Sequence, residues 1–265
     1  MQGVYFMETE ILVLKEKKLR KPILFTGLPG IGLVGKIAAD YMLKQLKAEK
    51  IAEVFSDSFP PSVHTKNALI ELIRDDIFVT EQNGRHFLFL VGPVQPSLDF
   101  RLGTASEHYE FAKKIVETMK GFGVEEIYTL AGINIGDKRM EKQPRVVVAS
   151  SSKKLLDELN SLGAVADKKE GLISGAAGLI VGIAQQKGID GACLMGETSS
   201  KLIYGDQGAA KKIIELLVKR FGFKIKLDQI AQEAKNIEAA FAQLSKQLEE
   251  GPEEEMPPAG LPYVR

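Results

Sequence analysis

Tryptophan is missing from this chain and cysteine nearly so: 265 residues contain no Trp and one Cys, Cys193. A single cysteine cannot close an internal disulfide, so burial and hydrogen bonding must hold the fold, as in proteins of reducing compartments. No charge of either sign is in excess, because 35 Lys and Arg balance 35 Asp and Glu. Nothing global then draws the chain to nucleic acid or to an anionic membrane surface. Long apolar runs are scarce as well. The longest candidate, 172–184, falls short of the roughly 20 residues that a bilayer-spanning helix needs. The first residues carry charge where a secretory leader would be apolar, and the expected location is the cytoplasm, with no nucleic-acid and no membrane partner. His64, His86 and His108 have no second ligand at metal-binding spacing, so no metal is expected.

The hydrophobic fraction of 45% and charged fraction of 26% are those of a globular protein with a sizeable core. The length suits one large α/β domain or two small ones. Strand patterns fall at 4–14, 22–27, 51–56, 68–73, 77–82, 86–92, 125–132, 144–150 and 190–197. Helical patterns fall at 31–47, 104–121, 152–162, 176–187, 209–221 and 227–249. This alternation predicts an α/β fold with helices on both sides of the sheet. Asn83-Gly84 between two apolar runs is a strong hairpin signal, so the sheet is expected to be mixed rather than purely parallel.

One segment carries nucleotide-binding spacing. Gly30, Gly32 and Gly35 form G-x-G-x-x-G after a strand and at the start of a helix, where glycines let a backbone approach a pyrophosphate. The acidic residue wanted about 20 positions on has only nominal candidates in Glu53 and Asp57. Gly30 to Lys36 also fits most of a P-loop, but Ile37 stands where a Ser or Thr must hold magnesium. The alternative is that these glycines serve tight strand-to-helix packing. Small-residue turns follow other strands at 92–93, 132–137 and 196–199, a common place for ligand crevices in open α/β sheets. Asp137, Glu197 and Asp206 are candidates for an acid/base set there. Cys193 lies within an apolar strand and reads as a buried hydrophobe.

The C-terminal quarter has a different character. Ile230, Ala234, Ile237, Phe241, Leu244 and Leu248 recur at alternating spacings of four and three, a narrow apolar seam on an otherwise polar helix. Ile230, Ile237, Phe241, Leu244 and Leu248 are therefore candidates for contacts in a homo-oligomer. Beyond them the composition turns to GPEEEMPPAGLPYVR, an acidic and proline-rich tether that ends in Leu261, Tyr263, Val264 and Arg265. The expected organisation is an α/β domain over 1–226, an amphipathic helix over 227–249 and a tail over 250–265.

Four segments together resemble a known family: GLPGIGLVGKIAADYML, FPPSVHTKNALIEL, GLISGAAGLIVGIAQQKGIDGACLMGET and YGDQGAAKKIIELL. They are similar to the PAC2 family of proteasome assembly chaperones, archaeal members included, over most of residues 7–248. The resemblance implies a nucleoside-phosphorylase-like mixed α/β fold used as a scaffold, without a catalytic set and without a cofactor. It implies a chaperone or activator whose partners are 20S proteasome α-subunits. In that family and in proteasome activators, a C-terminal aromatic motif inserts between α-subunits, with its carboxylate held by a basic pocket. The resemblance thus assigns partner binding to Tyr263 and the terminal carboxylate of Arg265, and the apolar Leu261 and Val264 beside them are candidates for the same contact. Tyr263 stands third from the end, one place off the family's register.

Overall fold

The computed structural model describes residues 9–96, 105–167 and 170–236. The first strand, β1 (Glu10–Val13), lies at an edge of the main sheet. β2 (Ile23–Gly27) runs through a short 3-10 turn, Ile31–Leu33, into α1 (Val34–Leu46). β3 (Glu49–Phe55) follows, then the short strands β4 (Val63–Lys66) and β5 (Leu69–Leu72), then β6 (Asp75–Gln82) and β7 (Arg85–Val91). The second half comprises α2 (Ala105–Gly121), β8 (Glu126–Asn134), α3 (Lys138–Glu141), β9 (Val146–Ser150) and α4 (Lys153–Ser161). It continues with β10 (Val165–Ala166), α5 (Gly175–Gln186), β11 (Asp190–Thr198) and α6 (Gln207–Phe221).

Nine strands form one mixed sheet in the order β1-β3-β6-β7-β2-β8-β11-β9-β10. Its centre, β7-β2-β8-β11, is parallel, and antiparallel pairs flank it on both sides. The β6–β7 hairpin turns at Asn83 and Gly84, whose φ angles of 53° and 73° match the left-handed pair that such a turn requires.

Alternation along the central strands fills two cores. Ile23 and Phe25 of β2, with Phe87 and Phe89 of β7, face α1, α4 and α6, whereas Leu24, Leu88 and Leu90 face α2 and α5. These strands are buried on both faces, which is why they read as near-continuous apolar runs. Phe25, Phe87, Phe221 and Phe223 interlock at one end of the sheet, with the rings of Phe87 and Phe223 centred 4.7 Å apart. Helices lie on both sides of the sheet, as the alternation predicted.

Several features differ from the sequence expectation, among them α3 and β10, which it lacked. The pattern at 68–73 is not a strand of the main sheet; as β5 it pairs with β4, which the proline-led segment before it concealed. β6 starts at Asp75 rather than 77, since the pair Asp75-Asp76 reads as a turn. The C-terminal helix is described from 228 to 236, and there Ile230 is buried in the α1–α6 core of its own chain, with Ala234 buried as well. Ile237, Phe241, Leu244 and Leu248 lie outside the described residues, as do 97–104, where α2 was expected to begin, and the whole tail.

Asp75 is the most unusual buried group. Its side chain has no solvent exposure, neither oxygen makes a well-formed hydrogen bond among the described residues, and Gly92 lies so close that a Cβ there would overlap Oδ1. Burial pushes its carboxyl well above the usual range; the Val94 amide and Lys36 oppose this only in part, and Asp76 adds to it. The folded state therefore holds a proton that the unfolded chain releases near pH 4. Stability is expected to fall as pH rises above that point, by up to about 1.4 kcal/mol per pH unit until the folded pKa is reached. Asp75→Asn should flatten this slope and raise stability at pH 7, as measured by urea unfolding at a series of pH values.

Candidate functional site

The glycine-rich turn sits where the sheet's central parallel strands end. Beside it opens a cavity of about 410 Å³, whose walls include Gly30, Ile31, Gln95, Gly132, Val148 and Met195. Crevices at the carboxyl ends of parallel strands are the usual ligand sites of open α/β sheets, so the glycines are the first residues to test.

Two of the three are closed in by packing. A Cβ on Gly35 would stand 1.9 Å from the Leu130 carbonyl oxygen, which places α1 directly against β8. Gly32 has φ 60°, and a side chain there would meet Thr198 Oγ1 at 2.4 Å. Only Gly30 of the three faces open space. Topology also departs from a dinucleotide fold. In that fold the strand after the helix lies beside the first strand, whereas here β6 and β7 separate β3 from β2. Glu53 is engaged by Lys50 at 2.6 Å and Arg74 at 3.1 Å. Lys36 pairs with Asp40 of its own helix at 2.5 Å. The arrangement matches the packing alternative.

The three candidate carboxylates are held by different cations. Asp206 caps α6 by accepting from the Ala209 amide at 2.9 Å, and it takes Arg139 bidentately at 2.7 and 2.8 Å. Thr198 Oγ1 donates to it at 2.9 Å, and the Asp206 amide donates to the Gly32 carbonyl at 2.8 Å. One aspartate thereby ties α3, β11, α6 and the glycine turn together, with both ion-pair partners 2% exposed. Glu197 is equally buried; burial alone would raise its pKa, but hydrogen bonds and charge from Arg145, aided by Lys142, hold it below the usual range. Asp137 is exposed and meets Lys201 at 2.6 Å. These are structural ion pairs, and the sequence carried no signal for Arg139, 67 positions from its partner.

Other candidates resolve in the same direction. Cys193 is buried, and desolvation pushes its thiol up to about 11, so it is a hydrophobe and not a nucleophile at neutral pH. His86 accepts from the Arg20 amide at 3.0 Å, and His64 lies on exposed β4. Among the described residues no three His, Cys, Asp or Glu side chains group as metal ligands, and no helix is long and apolar enough to cross a membrane. Residues Leu261, Tyr263, Val264 and Arg265 lie outside the described region.

Comparison with known proteins decides what the geometry leaves open. The model of the PAC2 family matches residues 24–245. The chain belongs to the PAC2 family. Among solved structures, the archaeal proteasome activator PbaB of Pyrococcus furiosus superimposes with a TM-score of 0.80 at 30% identity, over 90% of this chain and 99% of PbaB. PbaA of the same organism, an archaeal homologue of a proteasome-assembly chaperone, superimposes with a TM-score of 0.70 at 26% identity, over 92% of this chain and 94% of PbaA. The uncharacterized protein MJ1210 of Methanocaldococcus jannaschii is 32% identical over 233 residues, which span 88% of this chain and 86% of the relative.

A PAC2 body in which Gly32 and Gly35 are closed in by packing should not take up small metabolites at this turn. Thermal unfolding in NAD, ATP, phosphate or nucleosides is expected to match that of the protein alone. A specific ligand far above its dissociation constant would instead add a few kcal/mol of apparent stability. Such a gain, removed by Gly30→Asp, would restore the nucleotide-binding reading.

Proposed function

We propose that this PAC2 protein is a non-enzymatic, cytoplasmic chaperone or activator of the 20S proteasome that docks on the α-ring through residues 261–265. The observation that carries this reading is its likeness to PbaB over nearly the whole of both chains. The spent polar groups agree with it: Asp206, Glu197 and Lys36 are all committed to ion pairs within the body. In this reading the division is that of a nucleoside-phosphorylase-like body over 1–226, a helix over 227–249 and a tether over 250–265. The seam beyond Asn236, with Ile237, Phe241, Leu244 and Leu248, contributes to a homo-oligomer that presents several tails at once.

Tail docking suits the chemistry of these residues. Glu253 to Glu255 and Pro257, Pro258 and Pro262 favour extended, solvated chain. Leu261, Tyr263 and Val264 supply an aromatic and aliphatic anchor, the residue types that dominate binding energies at interfaces. The test is co-elution of the purified full-length chain with 20S α-subunits on gel filtration. α-Subunits in the same fractions support the proposal, and their absence at micromolar concentrations of both opposes it.

A further inference from the structure

The hairpin β4–β5 pairs only with itself among the described residues. Its register sets Val63 opposite Leu72 and Thr65 opposite Ile70. Side chains alternate along a strand, so these four share one face, while His64, Lys66, Leu69 and Glu71 share the other. The first face is apolar apart from the Thr65 hydroxyl, yet it lies in water: Val63 is 48% exposed, Ile70 72% and Leu72 59%. A lone two-stranded hairpin is marginal without a layer on its hydrophobic face. Its turn gives little help, because Ala68 is forced to φ 63°, a conformation that side chains with a Cβ resist.

At the hairpin's base the apolar face continues into an open groove of about 510 Å³ between Phe55, Pro60, Pro61 and Ile73, with Val63 and Leu72 on its wall. One patch therefore holds both a projecting apolar ridge and an apolar slot. Charge follows the same axis. Lys66 stands at the tip, and Asp57 stands on the groove's rim, where burial and then Glu110 and Glu107 raise its carboxyl above the ordinary range. Each strand has four residues, which at about 3.3 Å per residue extend ~13 Å. Two such hairpins laid antiparallel bring the tip of each to the base of the other.

We infer that the Val63, Thr65, Ile70 and Leu72 face seats on the hairpin and groove of a second copy of this chain about a two-fold axis, with Lys66 against the partner subunit's Asp57. The occupant is a second copy because ridge, slot, cation and carboxylate all belong to one surface, the self-complementarity that a two-fold contact requires. The contact uses neither the tail nor the C-terminal helix, and so stands apart from proteasome docking.

Sedimentation velocity of the full-length chain across micromolar concentrations tests it. The double variant Ile70→Lys/Leu72→Lys should weaken self-association about 100-fold or more, with the far-UV circular dichroism of the body unchanged because neither side chain enters its core. Lys66→Glu and Asp57→Lys should each weaken it by about tenfold, two exposed pairs changing from attraction to repulsion. Mixing these two single variants should restore assembly, since every facing pair is then of opposite charge. Any assembly through the C-terminal helix sets the baseline against which these changes are read. The inference is overturned by a monomeric wild type, by variants that associate like wild type, or by a mixture no stronger than its components. It is equally overturned if the hairpin variants lose α-subunit binding alone and keep self-association.

Discussion

Removal of residues 261–265 is expected to abolish association with 20S α-subunits while leaving the chain's own assembly and thermal midpoint unchanged. The expectation rests on the composition of the last residues. The tether over 250–260 is acidic and proline-rich, and Leu261, Tyr263 and Val264 follow it with no polar residue between them. Truncating a central aromatic anchor at an interface typically costs about 2 kcal/mol or more, roughly a 30-fold loss of affinity. Tyr263→Ala is therefore expected to weaken binding by at least that factor, and Tyr263→Phe should retain most of it. An oligomer engages several tails together, and avidity multiplies small losses per tail into a large loss for the assembly. Immobilised protein, α-subunit capture and a parallel sedimentation run separate the two effects. Retention of α-subunits by the truncated chain would transfer docking to the globular body.

Breaking the pair between Arg139 and Asp206 should be the most damaging single change within the body. Both side chains are 2% exposed, and the aspartate also caps α6 and receives Thr198. Removing one member of a buried pair strands the other's charge in a poorly solvated site, at a typical cost of about 3–5 kcal/mol. That is a large share of the 5–15 kcal/mol by which domains are usually stable. Arg139→Ala and Asp206→Ala are expected to lower the urea midpoint accordingly, and the apolar double replacement Arg139→Met/Asp206→Leu should recover much of the loss. Asp206→Asn should fall between, since an amide can still cap the helix. Losses below about 1 kcal/mol in both alanine variants would show that the latch contributes little beyond an exposed pair.

Local pattern carried most of the fold. The run HFLFLVG of β7, the turn Asn83-Gly84 and the periodic helices α2 and α6 each specify their own geometry, and the structure places them as the pattern implies. What escaped is nonlocal or masked by composition. β4 follows two prolines and carries His64 and Lys66, so its pairing shows only once β5 lies beside it. Asp75 reads as a turn residue, because nothing in its neighbours tells that Gly92 will seal it in. The glycine motif was legible as spacing, but its use was not. The same three glycines would suit a phosphate, and only the contacts of Gly32 and Gly35 with Thr198 and Leu130 show that protein fills the space. The ordered PAC2 segments informed most about function, since they constrain many positions together.

The proposed function has this PAC2 protein dock on the 20S α-ring through residues 261–265. Sedimentation of a fluorescently labelled full-length chain titrated with purified 20S proteasome tests this most directly. The account predicts that the label moves with the 20S particle, saturably, and is displaced by excess unlabelled chain but not by the chain ending at residue 260. Label that stays at its own sedimentation rate at every 20S concentration would contradict it.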